Sequence, residues 1–419
     1  MPSGILKTSF NERGFAFIDG SEHGDGGQDI FLHIRGLANG EESDRYVRGV
    51  RVEFDLELVD IGGHEKPQAR NVRLVEGAVE ADRAPELAKV DLRGRLKFWH
   101  ANGYGFLKDE DSGDDFYVSS TSVPGRYLRN GDIVEFDVEK QEHDRSQAVN
   151  IRVVGWNPTD DPFDDQLDMG NPRWVEQLAA EAEKEPWNYP ENPAQDSFAI
   201  LRSYIKYTFL RLNDLESHVP VTGDGTYLSF NTGLVTSFQE PIFAVFSRRP
   251  EDQVGPPWRL RGFERASSAS FLRLFGANIP PLAWYFDEPS QLVYDTGASL
   301  NVNVEHVPHD PDRFPEALRK MSPQELAGLV NARAPEAIER VRRNYKTAIP
   351  QFYRDGRSGQ SKMQLLLPVA LLSRDRVELA LAVDRLGPDV YLGRTVLTLD
   401  WAYNNARLLT RPDTDWLRP

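Results

Sequence analysis

Gly14-Phe15-Ala16-Phe17-Ile18, followed by Asp29-Ile30-Phe31-Leu32-His33, decides how this sequence is read. Both halves recur further on. Gly103-Tyr104-Gly105-Phe106-Leu107 repeats the first, and Asp115-Phe116-Tyr117-Val118-Ser119 repeats the second. Side chains alternate faces along a β-strand, so Phe15 and Phe17 project together, as do Tyr104 and Phe106. Alternating aromatics are commonly core. Here their partners are themselves small or apolar (Ala16, Ile18, Gly105, Leu107), so both faces of each strand are apolar. One face can fill a small barrel, which leaves the aromatic face as a platform for stacking unpaired bases. Phe31 and Tyr117 extend that platform. His33 beside it reads either as a base or phosphate contact or as a cap on a strand end.

Working outward, residues 1–76 read as five short strands (4–7, 14–18, 29–34, 50–58 and 68–74) between turn-forming, Gly-rich stretches. Residues 91–154 repeat the pattern, with strands at 94–99, 103–107, 115–118, 131–139 and 147–153. Five short strands fit a small barrel of the oligonucleotide-binding (OB) kind. Residues 77–90, rich in Ala, Glu, Asp and Pro, read as a linker. Residues 155–171 combine prolines with clustered aspartates and read as an extended acidic hinge. In 172–419 the spacing predicts helices from 172, over 196–212, near 313–321, 323–331 and 334–348, and from Asp400. Strands are predicted at 226–236, 241–247, 283–286, 291–295, 299–304 and 390–398, with apolar runs at 363–372 and 377–384. Blocks of strands and helices without regular βα alternation indicate an α+β class. The expected fold is therefore multidomain: two all-β five-stranded OB barrels, then an α+β domain.

The N-terminal third resembles the cold-shock domain family in two copies. In the first, Lys7, Arg13-Gly14-Phe15-Ala16-Phe17-Ile18, Asp29-Ile30-Phe31-Leu32-His33 and Pro67-Gln68-Ala69-Arg70-Asn71-Val72 match its signatures. That copy lacks the family's aromatic pair after the first lysine: Thr8-Ser9 follow, and Phe10 arrives late. The second copy keeps the pair, as Phe98 and Trp99 after Lys97, and closes with Gln147-Ala148-Val149-Asn150-Ile151. The resemblance implies binding of single-stranded RNA or DNA, RNA preferred, through Lys7, Phe10, Phe15, Phe17, Phe31, His33, Lys97, Phe98, Trp99, Tyr104, Phe106 and Tyr117. Residues 172–419 look like an uncharacterised bacterial domain family whose members often follow cold-shock or other RNA-binding modules. The matching stretches are Phe230-Asn231-Thr232-Gly233-Leu234, Arg343-Asn344-Tyr345-Lys346 through Tyr353, and Leu397 to Arg407. This second resemblance implies an association with RNA and supplies no mechanism.

Composition narrows the chemistry. The 419 residues contain no cysteine, which excludes disulfides, thiolate zinc sites and a cysteine nucleophile. The formal charge of −16 has the wrong sign for holding nucleic acid by bulk attraction, so stacking and local cations must carry any binding. There is no basic start followed by an apolar run, and no run approaches the ~18 apolar residues that span a bilayer. The expectation is a soluble, cytoplasmic protein without a membrane partner.

Four polar and aromatic concentrations mark the C-terminal region. Asn231 lies in a turn-forming Asn-Thr-Gly, which reads equally as a hairpin turn or a ligand loop. His306 and His309 in a proline-rich loop read as surface residues, or as groups that could bind a metal or transfer protons. Arg342, Arg343 and Lys346, with Tyr345 and Tyr353, concentrate positive charge suited to phosphate, or form a solvated basic helix face. Asp400 can cap a helix that carries Tyr403, Asn404 and Arg407, which could read a nucleotide or bond to backbone. A hydrolase would place Arg343 and Lys346 on phosphate and His306, Tyr345, Tyr353 or Asp400 on the proton. No metal site and no cofactor is evident from sequence, although a hydrolase could use a divalent metal. Three readings stay open: an RNA binder whose C-terminal domain recognises or processes RNA or a nucleotide, an RNA phosphodiesterase or nucleotide hydrolase, and a small-nucleotide sensor.

Overall fold

A computed structural model describes residues 2–7, 14–19, 29–38, 46, 50–61, 64–75, 87–100, 103–123, 127–140, 146–189, 196–215, 218–303, 310–356 and 358–418. Phe10 and His306 lie outside these residues. The chain divides into two compact units, Met1–Leu92 with Phe136–Asn150, and Arg93–Glu135 with Ile151–Pro419.

The first sheet comprises β1 (Ser3–Ile5), β2 (Phe15–Ile18), β3 (Ile30–His33), β4 (Arg51–Ile61) and β5 (His64–Leu74), in the order β1-β4-β5-β3-β2. Its two end strands are also bonded: Lys7 N donates to Phe17 O and Asp19 N to Ile5 O, each at 2.8 Å. Leu6, Ala16, Ile18, Leu32, Val52 and Phe54 fill its interior. The second sheet comprises β6 (Leu87–His100), β7 (Tyr104–Asp109), β8 (Asp115–Ser119), β9 (Asp132–Lys140) and β10 (Ser146–Trp156), closed into a barrel in the order β10-β8-β7-β6-β9. β6 thus begins at Leu87, inside the stretch read as a linker. Gly105 is required where β6 crosses β7, because a Cβ there would lie 2.3 Å from Phe98 O. The parallel closing tracts share a physical reason. Asn71 and Asn150 both adopt positive φ (49° and 53°), and their amides donate to Asp55 (3.2 Å) and Asp137 (2.8 Å). Asn tolerates the left-handed region better than most residues.

The 155–171 stretch is not an extended hinge. It forms α1 (Pro162–Gln166) and β11 (Leu167–Asp168), and its aspartates are engaged one by one. Asp161 caps α1 through Phe163 N (3.0 Å) and pairs with Lys206, while Asp165 accepts from Thr159 N (2.6 Å). Asp164 accepts from Asn130 (2.9 Å), and buried Asp168 is held by Arg129 (3.3 Å) and Arg249. Charge counting missed this because the partner cations lie far away in sequence.

Two sheets follow. One runs β11-β14-β13-β12, from β12 (Tyr227–Val235), β13 (Pro241–Arg248) and β14 (Trp258–Arg265), packed by α2 (Trp174–Glu181) and α3 (Ala199–Asp214). After α4 (Ala269–Phe275), the other runs β15-β19-β18-β17-β16 and includes α5 (Pro323–Arg343) and α6 (Leu399–Arg407) as its helices. Its strands are β15 (Ser299–Val302), β16 (Ile349–Arg354), β17 (Ser361–Val369), β18 (Leu379–Gly387) and β19 (Val390–Thr398). This sheet is buried on both faces. Leu366, Ala380, Ala382 and Leu397 join the core under α3 and α6, while Leu365, Leu367, Leu381 and Val383 pack with Leu326, Val330 and Val341 of α5.

Several expectations fail here. The helices drawn at 323–331 and 334–348 are one helix that runs through Pro335 and stops at Arg343, so Lys346 sits beyond it in a 3-10 turn. Arg342 and Lys346 therefore share no helix face. Residues 313–321 form two 3-10 turns rather than a helix, and 283–286 and 291–295 form no strand. Asn231 is neither a hairpin turn nor a ligand loop. It lies within β12 at a register shift, 8% exposed, with Oδ1 accepting from Gly233 N at 2.9 Å.

Arg407, read from sequence as a candidate for contacting a nucleotide, closes the core instead. It forms two-pronged contacts to Glu185 (2.6 and 3.2 Å), its guanidinium lies 4.5 Å from the Tyr204 ring and 5.6 Å from Trp187, and it is 12% exposed. Tyr403 is 1% exposed beside Tyr189, also in that core. Removing one partner of a buried ion pair strands the other's charge, which costs about 3–5 kcal/mol. Arg407→Ala is expected to destabilise the chain by that amount in urea unfolding followed by tryptophan fluorescence. A loss under about 1 kcal/mol, the value of an exposed pair, would contradict this role.

Candidate nucleic-acid interface

On β2 and β3, Phe15, Phe17 and Phe31 form a triangle with ring centroids 5.7 to 6.0 Å apart. The register explains it, since Phe15 pairs with His33 and Phe17 with Phe31. On β6 to β8 the rings form a continuous row. Phe98 meets Phe106 at 5.5 Å, Phe106 meets Tyr117 at 5.9 Å, Tyr117 meets Tyr104 at 6.1 Å, and Tyr104 stacks on His100 at 4.7 Å. Phe98 is 41% and Tyr117 38% exposed, although aromatic rings of this kind are usually buried. His100 was not anticipated. Its only sequence signal is its place two residues beyond Phe98 on the same strand face.

Trp99 does not join this row. It faces Gly105 across the β6–β7 ladder and lines a cavity of about 340 Å³ with His100, Arg129, Asp168, Trp174 and Arg202. Asp132, bonded to the cavity-lining Arg129, is fully buried and accepts from Arg129 N (2.8 Å) and Nη2 (3.0 Å), and burial pushes its carboxyl up.

His33 and Ser119 occupy equivalent positions, and both act as caps. His33 Nδ1 accepts from Arg35 N at 3.1 Å, and Ser119 Oγ from Thr121 N at 3.3 Å. The cap is thus the role these two residue types have in common. The two lysines drawn as phosphate contacts are paired in both copies: Lys7 with Asp29 (2.9 Å) and Lys97 with Asp115 (2.6 Å). Half-exposed pairs of this kind contribute only about 0–1 kcal/mol, so a phosphate oxygen can replace the carboxylate at little cost.

The C-terminal candidates are scattered. Arg343, Lys346 and Tyr345 are exposed near the end of α5, while Arg342 pairs with Glu339 and donates to Thr296 O (3.3 Å). Tyr353 donates to Asp355 at 3.3 Å. Asp400 lies in the first turn of α6 but does not cap it; Thr398 is the N-cap, and Asp400 O accepts from Tyr189 at 2.6 Å. Asn404 keeps a buried Oδ1 without a hydrogen-bond partner among the described residues. Among those residues no group of three or more His, Asp or Glu is arranged to hold a metal, and no helix is long and apolar enough to cross a membrane.

Sequence reading missed a polar ladder on the α6 side of the second C-terminal sheet. Asn405 donates to Gln351 (3.1 Å), Gln351 to Gln364 (2.8 Å) and Gln364 to Asp384 Oδ1 (2.7 Å). Lys362 and Arg394 both donate to Asp384 Oδ2 at 2.7 Å. Burial opposes ionisation of Asp384, but the hydrogen bonds from Lys362, Gln364 and Arg394 outweigh it and hold the carboxyl below the usual range.

A family model described as "Ribonuclease B OB domain" matches residues 94–153, which lie within the barrel of β6 to β10. The chain as a whole belongs to the family described as "Domain of unknown function (DUF3825)", whose model matches residues 178–416. Among solved structures, the chain is similar to one titled "drosophila Unr CSD456", at 16% identity over 37% of this chain and 64% of that one, TM-score 0.18. It is also similar to Mycoplasma genitalium RNase R in complex with ribose methylated single-stranded RNA (11% identity, 63% of this chain, 46% of that one, TM-score 0.13). The apo form of the same RNase R matches at 12% identity over 84% of this chain and 63% of that one, TM-score 0.13. The chain thus spans less than two thirds of each of these structures, and the scores lie below what a shared fold requires.

A carboxyl held low when folded contributes stability that is present above its unfolded value of about 3.9 and is lost as pH falls through the folded value. The stability gap between the native protein and Asp384→Asn is therefore expected to be widest near pH 6 and to narrow as pH drops below about 4. Urea unfolding at several pH values measures it. A gap unchanged down to pH 3 would show that Asp384 is not held ionised by its three donors.

Proposed function

We propose that this protein binds single-stranded nucleic acid, RNA in preference to DNA, by stacking bases on the two aromatic faces. The single observation that carries this reading is the continuous ring row Phe98, Phe106, Tyr117, Tyr104 and His100, exposed at Phe98 and Tyr117 and half-buried at the other three. Rings that the barrel core does not use, spaced along neighbouring strands, suit successive unpaired bases of any sequence. The OB match over 94–153 supports the reading, because such barrels commonly bind oligonucleotides on this face. The first copy, 1–76, is read as a second barrel of the cold-shock kind, with Phe15, Phe17 and Phe31 as its platform. The 172–419 domain acts on the captured strand by recognising RNA or a nucleotide. The protein works in the cytoplasm, and its acidic charge makes stacking the main source of affinity.

Fluorescence anisotropy with an unstructured labelled RNA tests this. One lost stacked base is worth about 1–3 kcal/mol, so Phe98→Ala with Phe106→Ala is expected to weaken binding by roughly tenfold or more. Phe15→Ala with Phe17→Ala is expected to weaken binding to a long oligonucleotide more than to a short one, since two linked sites gain from effective concentration. Folded variants that bind as tightly as the native protein would overturn the stacking interface. Equal losses on both lengths would overturn tandem engagement.

A further inference from the structure

The polar ladder of the β16–β19 sheet has no structural necessity. Its neighbours on the same face are Leu366, Ala380 and Ala382, and apolar residues at Gln351, Gln364 and Asp384 would pack there without desolvating any polar group. What the ladder achieves is to fix two cations. Lys362 and Arg394 converge on one oxygen of Asp384, so their charged heads lie close enough for one phosphate to touch both. Their side chains are 46% and 41% exposed. Among the described residues Lys362 Nζ donates to Asp384 alone and Arg394 donates through Nε, so each keeps further N–H groups for a ligand. The Asp384 side chain is 9% exposed, so an approaching ligand meets the cations first.

Arg394 reaches this face through an irregularity in the sheet. Ala382 pairs with Thr395 and Val383 with Gly393, so Arg394 is the extra residue of a bulge between them. Bulges re-aim side chains and are over-represented beside functional sites. The next two residues anchor a third cation: Arg313 Nη1 donates to Thr395 Oγ1 (3.0 Å) and Val396 O (3.1 Å). Its guanidinium lies 5.0 Å from the Trp401 ring, and Trp401 is 51% exposed. An indole supported on one side by a fixed guanidinium offers its other side to a base. Tyr353, paired with Lys362 across β16 and β17, lies on the same face.

We propose that this face is a phosphate-binding site for a nucleotide, either free or as the phosphorylated end of an RNA strand. Lys362 and Arg394 hold the phosphate, and Trp401 stacks on the adjoining base. Asp384 keeps the two cations in register while the site is empty. This deepens the reading that the C-terminal domain recognises RNA or a nucleotide, and it replaces Arg342, Arg343 and Lys346 as the phosphate ligands.

The test uses the full chain and one short RNA in three forms, with a 5′-phosphate, a 3′-phosphate or hydroxyls at both ends, plus AMP. Two charge-assisted hydrogen bonds to phosphate are expected to make one phosphorylated form bind about tenfold tighter than the hydroxyl form. Lys362→Gln with Arg394→Gln is expected to erase that increment and leave hydroxyl-ended binding unchanged. Competition of AMP for the increment, or calorimetric binding of AMP that the double variant loses, assigns the site to a free nucleotide. An increment that AMP does not touch assigns it to the RNA end. Loss of hydroxyl-ended binding with AMP binding intact would remove the stacking platform and leave this site standing. If the double variant does not fold, Arg394→Gln alone carries the same expectation, and the surface variant Trp401→Ala is expected to weaken AMP binding through the lost stack. The proposal is overturned if native protein shows neither a phosphate increment nor AMP binding, or if the increment persists in the folded variants.

Discussion

Everything in the N-terminal third follows from the two-residue period of a β-strand combined with a small barrel's limited interior. Leu96, Leu107, Phe116 and Val118 point inward and are almost fully buried. Phe106 and Tyr117, which alternate with these residues, then face outward, and a register shift between Leu96 and Phe98 turns Phe98 out beside them. A solvent-facing aromatic ladder is an unfavourable surface unless something covers it, because contiguous exposed apolar area usually marks a binding site. The caps made by His33 and Ser119 and the lysine–aspartate pairs recur in both copies. They set the ends of the strands that carry the rings, so the repeat preserves the platform's geometry as well as its composition.

The C-terminal domain works under a different constraint. Its second sheet is buried on both faces, and such strands read as continuous apolar runs, as 363–372 and 377–384 do. Within such a sheet every polar group must find a partner, and Asn405, Gln351, Gln364 and Asp384 do so by handing hydrogen bonds across to the strand or helix beside them. The chain ends at two half-exposed cations. Elsewhere the same rule makes purely structural contacts. Arg407 on Glu185, and Arg129 and Arg249 on Asp168, tie distant segments into the core.

The aromatic platform was legible in the sequence because its period is local: two residues along one strand and a repeat of the same motif. His100 was missed because it lies outside the repeated words, and Trp99 was assigned to the platform although alternation alone places it opposite Phe98. The acidic tract at 155–171 was misread for the opposite reason, since what orders it is Arg129, Lys206 and Arg249, none of them near in sequence. The ladder was invisible altogether. Gln351, Gln364, Asp384 and Arg394 sit on four different strands, and the bulge that aims Arg394 depends on pairing rather than on composition. α5 shows a further limit: Pro335 splits the helical pattern, but the flanking packing of Leu326, Val330 and Val341 keeps it one helix.

The central claim is that exposed rings on β6 to β8 are where single-stranded RNA lies. Ultraviolet crosslinking of the full chain to an unstructured RNA, with the modified peptides mapped by mass spectrometry, tests it most directly. The account predicts crosslinks at Phe98, His100, Tyr104, Phe106 or Tyr117. Crosslinks confined to other parts of the chain, under conditions where the RNA is fully bound, would contradict it.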